Sequence, residues 1–279
     1  MDVSSRAEAC VETPRSLAPA GADPPMVASR FRSRRSVQAV DVVVRRLGGL
    51  ASLSEREVDL VRRLSGDGEV HAANSVVLAA ETEPSGARFI ISGWACRYRI
   101  LPDGRRQVFC FLLPGDGIAL GGPRDAGALA SVGAVTELQT VDGEAVRRAA
   151  ANRKEHPGLA QSLYMAVRAE EALLLNQLVR LGRQTAYERA AHLLLELHER
   201  LALVGLTQGY SFPLPVTQEV LADILGLSVV HVNRTLQQLK REKLIEVRGG
   251  EAKLLAPQVL TALSNYRSRD LAGGKGGEP

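Results

Sequence analysis

The sequence predicts an α+β chain: an N-terminal antiparallel β-roll of the jelly-roll kind, a long helix, and a C-terminal winged helix-turn-helix. Three observations carry this. From about Gly66 to Val146, short apolar or β-branched runs alternate with Pro/Gly-containing turns, the grammar of a compact antiparallel barrel. After Pro157 the apolar period becomes helical and persists for ~24 residues, roughly 36 Å at 1.5 Å per residue. In Thr217–Ile245, two short helical patterns flank Gly226, where a sharp turn needs a backbone conformation that is cheap only for glycine.

The bulk numbers agree with two domains plus linkers. The chain has 279 residues, 45% hydrophobic and 24% charged, as in an ordinary soluble globular protein. A net charge of +4 permits nucleic-acid binding without requiring it, and 4% aromatics is poor material for a base-stacking platform. Cys10, Cys96 and Cys110 are odd in number and widely spaced, fitting neither a disulfide framework nor a C-x-x-C knuckle, so a reducing cytoplasm is expected. No apolar run approaches the ~20 residues of a bilayer span. The N-terminal stretch lacks the apolar core of a secretory signal, so neither membrane nor export is expected.

Residues 1–40 read as a disordered leader rich in Ala, Pro, Ser and Gly, ending in a basic cluster at Arg30, Arg32, Arg34 and Arg35. That cluster is a solvated charge run or a DNA-phosphate arm. A β-roll sensor domain spans 41–155. Within it Ser54 caps a helix whose apolar side is Val58, Leu60, Val61 and Leu64. Strands are expected at Ser75–Ala79, Arg88–Ser92, Trp94–Leu101 and Gln107–Leu113, the last two joined by Pro102-Asp103-Gly104-Arg105, with a further pair over Gly133–Val141.

The long helix, 156–182, carries Leu159, Leu163, Val167, Leu174, Leu178 and Leu181 on one side. Val167, Leu174 and Leu181 recur every seven residues, which suits a parallel dimer seam, although Glu170 and Gln177 are polar at the alternate positions. The same stripe would also serve as core against the β domain. Leu173 and Leu175 flank it and could pack on that domain instead. A winged helix-turn-helix fills 183–270 and a flexible tail 271–279. It begins with a helix over about Gln184–Leu203, followed by loop through Phe212.

Thr217 is the expected N-cap of Gln218–Leu225, and Ser228 caps a second helix reaching about Lys240. Val232, Leu236 and Leu239 face inward on that second helix, while Val229, Val230, Asn233, Arg234 and Gln237 collect on another face. Arg bonds guanine bidentately, Asn and Gln suit adenine, and valine methyls can meet thymine methyls. Two adjacent valines have no use on a merely solvated face. Thr217, Gln218, Ser228, His231 and Lys240 are the candidates for phosphate contacts. A hairpin around Gly249-Gly250 would form the wing, and Pro257–Tyr266 a closing helix.

This order of elements resembles the Crp–Fnr family of bacterial transcription regulators over roughly Val42–Tyr266, most specifically in LGLSVVHVNRTLQQLKREKLIEV (225–247) and LGRQTAYERAAHLLLELHERL (181–201). The resemblance implies a homodimer on a palindromic DNA site, with one recognition helix in each of two successive major grooves. It implies that Arg234 is the family's base-reading arginine. Val230 stands where many members have glutamate, and Asn233 where relatives often have Ser or Gly, which puts the half-site preferred by those relatives in doubt.

Cyclic-nucleotide-binding members carry a Gly-Glu pair and a later Arg-Ser or Arg-Thr. Here Gly115–Val135 has Asp116 between glycines and Arg124 too early, so the phosphate anchor is missing and a surface loop is expected. Iron–sulfur members need more cysteines than Cys10 and the β-domain thiols supply. Cys96 and Cys110 read as packed interior thiols, with a redox pair as the alternative. His71 is the sole β-domain candidate for a haem ligand and reads as a surface or core histidine. No cofactor is identified. The expected function is therefore a sequence-specific regulator with DNA, a second copy of itself and RNA polymerase as partners. The alternative is a cyclic-nucleotide- or redox-responsive sensor whose output is not DNA binding. No paired carboxylates, nucleophile elbow, Walker loop or zinc motif suggests an enzyme.

Overall fold

The computed structural model describes residues 40–64, 68–121 and 128–267. The leader's basic cluster, Cys10, Arg124, Asp125 and the tail 271–279 lie outside the described residues. The chain opens with α1 (Asp41–Leu50) and α2 (Glu55–Arg62). Ser54 caps α2 in a reciprocal box with Glu57, satisfying two orphan donors at once. The second oxygen of Glu57 accepts the Leu159 amide at 2.8 Å, which fastens α2 to a helix a hundred residues later.

Eight strands follow: β1 (Glu69–His71), β2 (Val76–Leu78), β3 (Arg88–Ser92), β4 (Ala95–Ile100), β5 (Arg106–Leu112), β6 (Gly117–Ile118), β7 (Ser131–Ala134) and β8 (Leu138–Asp142). They form two antiparallel sheets, β1-β8-β3-β6 and β2-β7-β4-β5. Strand alternation sends Ile90, Cys110, Leu112, Val132 and Leu138 into the dry space between the sheets. The outer faces are also covered. On the first sheet, Phe89, Ile91 and Val141 pack under α1, α2, α3 (Glu144–Ala151) and the start of α4 (Pro157–Arg183). On the second sheet, Trp94, Cys96, Tyr98, Val108 and Phe111 pack against the C-terminal helices.

The C-terminal part comprises α5 (Ala186–Leu203), β9 (Ser211–Pro213), α6 (Gln218–Leu225), α7 (Val229–Arg241), β10 (Ile245–Arg248), β11 (Glu251–Leu254) and α8 (Pro257–Ser264). β10-β11-β9 make the wing sheet. α5 is its axle: Ala190–Leu197 are all buried, because helices or sheet surround it on every side. The fold class is thus the α+β arrangement of β-roll, long helix and winged helix-turn-helix. No helix among the described residues is long and apolar enough to cross a membrane.

Two expectations for α4 need correction. Leu159 and Leu163 belong to the intramolecular core with Leu47, Val61 and Val146, so they are not available to a second chain. Glu170 and Gln177 do not sit in a seam either. Glu170 pairs with Arg97 of β4, and Gln177 is buried beneath α6. Of the two flanking leucines, Leu173 packs against the roll while Leu175 is exposed. Val167, Leu174 and Leu178 remain exposed together with Tyr164, Leu175 and Val179, while Leu181 is half-buried. The glycine-rich segment is also not all loop, since Gly117–Ile118 pairs with β3.

Candidate nucleic-acid interface

The helix-turn-helix is assembled from short-range signals. Thr217 Oγ1 accepts the Val220 amide at 3.3 Å and starts α6. Gly226, at φ 63° and ψ 41°, ends it in the left-handed region. A Cβ there would lie 2.8 Å from a Leu181 methyl, so glycine serves both the turn and a close approach to α4. Ser228 Oγ then accepts the His231 amide at 3.2 Å and starts α7.

α7 buries Val232, Thr235, Leu236 and Leu239. At ~100° per residue, Val229, Asn233, Gln237, Val230 and Arg234 cover about 140° of the opposite side. All five are exposed. Val230 is 61% exposed and Val229 38%, in the first turn of α7. Ser228–Arg241 contains no acidic residue. Among the phosphate candidates, Thr217, Gln218, Ser228 and His231 are exposed at the starts of α6 and α7, while Lys240 is half-buried. Gln218, Asn233, Gln237 and Lys240 converge on one shallow groove of about 250 Å³ between α7 and the wing. The groove's far wall is Arg248, Gly249 and Gly250. Arg248, at the wing's turn, was not among the residues selected from sequence; a lone arginine beside a Gly-Gly hairpin was its only signal.

The residues considered for effector chemistry are placed differently. Asp116 accepts from Arg46 Nε at 3.0 Å and from Arg200 Nη2 at 2.6 Å. Burial disfavours its carboxylate, but Arg200 and Arg46 outweigh that and hold it below the usual range. The ladder continues from Arg200 to Glu196, and from Glu196 to Arg180 Nη1 at 2.7 Å, all buried. Cys96 and Cys110 are neighbours in register but face opposite ways. Cys96 lies across from Phe111 on the outer face, and Cys110 across from Arg97 on the inner one, so the redox-pair alternative lacks the geometry. Burial pushes the Cys96 thiol up to about 12 and raises that of Cys110. His71 Nε2 lies 3.2 Å from Thr140 Oγ1, and burial lowers its pKa. Among the described residues no group of three or more His, Cys, Asp or Glu is placed to hold a metal ion.

A family model described as a Crp-like helix-turn-helix domain matches residues 188–263. The chain is 35% identical over 177 residues to the transcriptional activatory protein AadR of Rhodopseudomonas palustris, covering 63% of this chain and 72% of that one. It is 34% identical over 199 residues to the nitrogen fixation regulation protein FixK of Bradyrhizobium diazoefficiens, covering 70% and 81%. The structure of FixK2 from Bradyrhizobium japonicum superposes with a TM-score of 0.60 at 25% identity, over 70% of this chain and 96% of that one. The exposed polar-and-valine face of α7 and the capped turn before it thus sit on a fold and sequence shared with these regulatory proteins along most of their length, and the chain belongs to the Crp–Fnr family of DNA-binding transcription regulators.

Proposed function

We propose that this regulator acts as a homodimer on a palindromic promoter site, presenting one α7 to each of two successive major grooves. The observation that carries this is the exposed face of α7, where Val229, Val230, Asn233, Arg234 and Gln237 stand free while Val232, Thr235, Leu236 and Leu239 on the other side are buried. Arg234 reads guanine, Asn233 and Gln237 meet adenine, and the valines meet thymine methyls. Thr217, Gln218, Ser228, His231 and Lys240 orient the module on phosphates. The dimer forms along α4 through Val167, Leu174, Leu178 and Leu181, joined by Tyr164, Leu175 and Val179. In this reading 41–155 is the sensor domain, 156–182 the dimerisation helix and 183–270 the DNA-binding domain.

The protein works in the cytoplasm and passes its signal to RNA polymerase; it is not an enzyme. Its effector is not a cyclic nucleotide, because Asp116 already has two arginine partners from within the chain. The test is selection of bound duplexes from random DNA, followed by affinity measurements on the selected site. Two half-sites about one helical turn apart should emerge. Arg234→Ala should lose about 1–3 kcal/mol of discrimination at one base pair of each half-site. Unchanged discrimination would remove Arg234 from the readout.

A further inference from the structure

The last turn of a helix leaves its final carbonyls without intrahelical donors. In α6 these are the carbonyls of Ala222, Asp223, Ile224 and Leu225, and only the first is satisfied locally, by the amides of Gly226 and Leu227. The other three are met by long side chains from three different elements. Gln107 Nε2 of β5 donates to the Asp223 carbonyl at 3.1 Å. Gln177 Nε2 of α4 donates to the Ile224 carbonyl at 2.6 Å and reaches back to the Val108 carbonyl of β5 at 3.4 Å. Arg189 Nη1 of α5 donates to the Leu225 carbonyl at 2.9 Å. The Asp223 carboxylate also accepts from Arg106 Nε at 2.7 Å.

Two of these three elements, β5 and α4, lie outside the winged-helix unit. The apolar contact of Tyr98, Val108 and Phe111 with the C-terminal helices supplies area, but such packing has little directionality. Hydrogen bonds to carbonyls do have it. The turn of the helix-turn-helix is therefore held at a defined angle to the roll and to the long helix.

We propose that Arg106, Gln107 and Gln177 are positioning residues for DNA recognition. They fix the end of α6 to β5 and α4, and thereby set the direction of α7 and the separation of the two recognition helices in the dimer. This rests on the dimer reading above. One base-pair step is about 3.4 Å, so a small rotation of α6 on the roll changes which half-site spacing fits.

The experiment uses the full-length protein and the selected palindromic duplex, remade with spacers of the selected length and one or two base pairs longer or shorter. Affinity is measured on each spacer and on a single half-site, alongside base discrimination at the Arg234 position and thermal unfolding. Arg106→Ala and Gln177→Met should each reduce the preference for the selected spacing by about fivefold or more. Discrimination at the Arg234 position should stay as in the wild type. Exchanging the pair, Arg106→Asp with Asp223→Arg, should restore much of the spacing preference. Spacing preference unchanged in both single variants would overturn the proposal. So would a loss of base discrimination in step with spacing preference and left unrepaired by the exchange, because that marks general structural damage. If the wild type binds a single half-site as tightly as the palindrome, the dimer reading fails first and this one falls with it.

Discussion

The two faces of α4 are inverted relative to an ordinary surface helix. Its exposed face carries Tyr164, Val167, Leu174, Leu175, Leu178 and Val179, with Leu178 at 69% exposure. Its buried face, besides Leu159, Leu163 and Leu173, holds Ser162, Gln177 and Arg180, the last at 1% exposure. Each of these three residues has a directional partner: Ser162 Oγ donates to the Leu47 carbonyl, Gln177 Nε2 to the Ile224 carbonyl, and Arg180 Nη1 to Glu196. The two faces serve different ends. Buried polar groups with directional partners fix where α4 sits on its own chain. A row of aliphatic side chains left in water is the signature of a surface that meets another surface.

The largest test breaks the inner face. Arg46, Arg180 and Arg200 share the carboxylates of Asp116 and Glu196. Glu196→Gln leaves the buried Arg180 without a carboxylate and Arg200 with Asp116 alone, and should lower the unfolding free energy by about 3–5 kcal/mol in urea titrations. Arg180→Met should cost less, since the remaining two carboxylates and two guanidinium groups balance.

The outer face should answer in the opposite way. Leu178→Glu should leave thermal unfolding of the monomer nearly unchanged. It should nonetheless reduce affinity for the palindromic duplex by about a hundredfold, because the second half-site no longer counts. Sedimentation of the variant as a monomer would accompany that loss. A dimeric Leu178→Glu with full affinity would place the seam elsewhere.

A smaller effect sharpens the inner face through pH. His192 Nδ1 lies 3.2 Å from Arg180 Nη1, its ring meets Tyr266 edge-on at 4.9 Å, and Glu196 is close by. Burial first, then Arg180, lowers its pKa from 6.5 to about 4. A depressed folded value means that the unfolded chain binds the proton more readily. The stability this histidine contributes is therefore complete above pH 6.5 and is lost as pH falls toward 4. At pH 5 the loss should be on the order of 2 kcal/mol, and His192→Phe should flatten that part of the stability profile.

The helix-turn-helix was legible because its determinants are local. Thr217, Gly226 and Ser228 act on neighbours within four residues, and the inner face of α7 follows from period alone. α4 was only half legible. Its apolar period marked a helix, but periodicity does not say which chain covers it. Leu159 and Leu163 are covered by α1 and by α3, and neither of those helices was drawn from sequence. Gln177 is a buried residue whose partners, Val108 and Ile224, come from distant elements. β1, β6 and β9 are two or three residues long, too short to show an alternation. Arg106 stands between the expected turn and the expected strand with no signal of its own; only the docked α6 makes it a contact between domains.

The N-terminal helix has a consequence for how the chain is made. Arg45 Nη1 donates to the Val204 carbonyl across a separation of 159 residues, and Arg46 waits for Asp116 and, through it, Arg200. α1 precedes every other described element during synthesis, yet it cannot complete its contacts until α5 has been made. Closure of such distant pairs is slow to form and late to reward. The first of the described helices is thus among the last of them to lock. Until then its apolar side, Val43 and Leu47, lacks the cover it has in the folded chain.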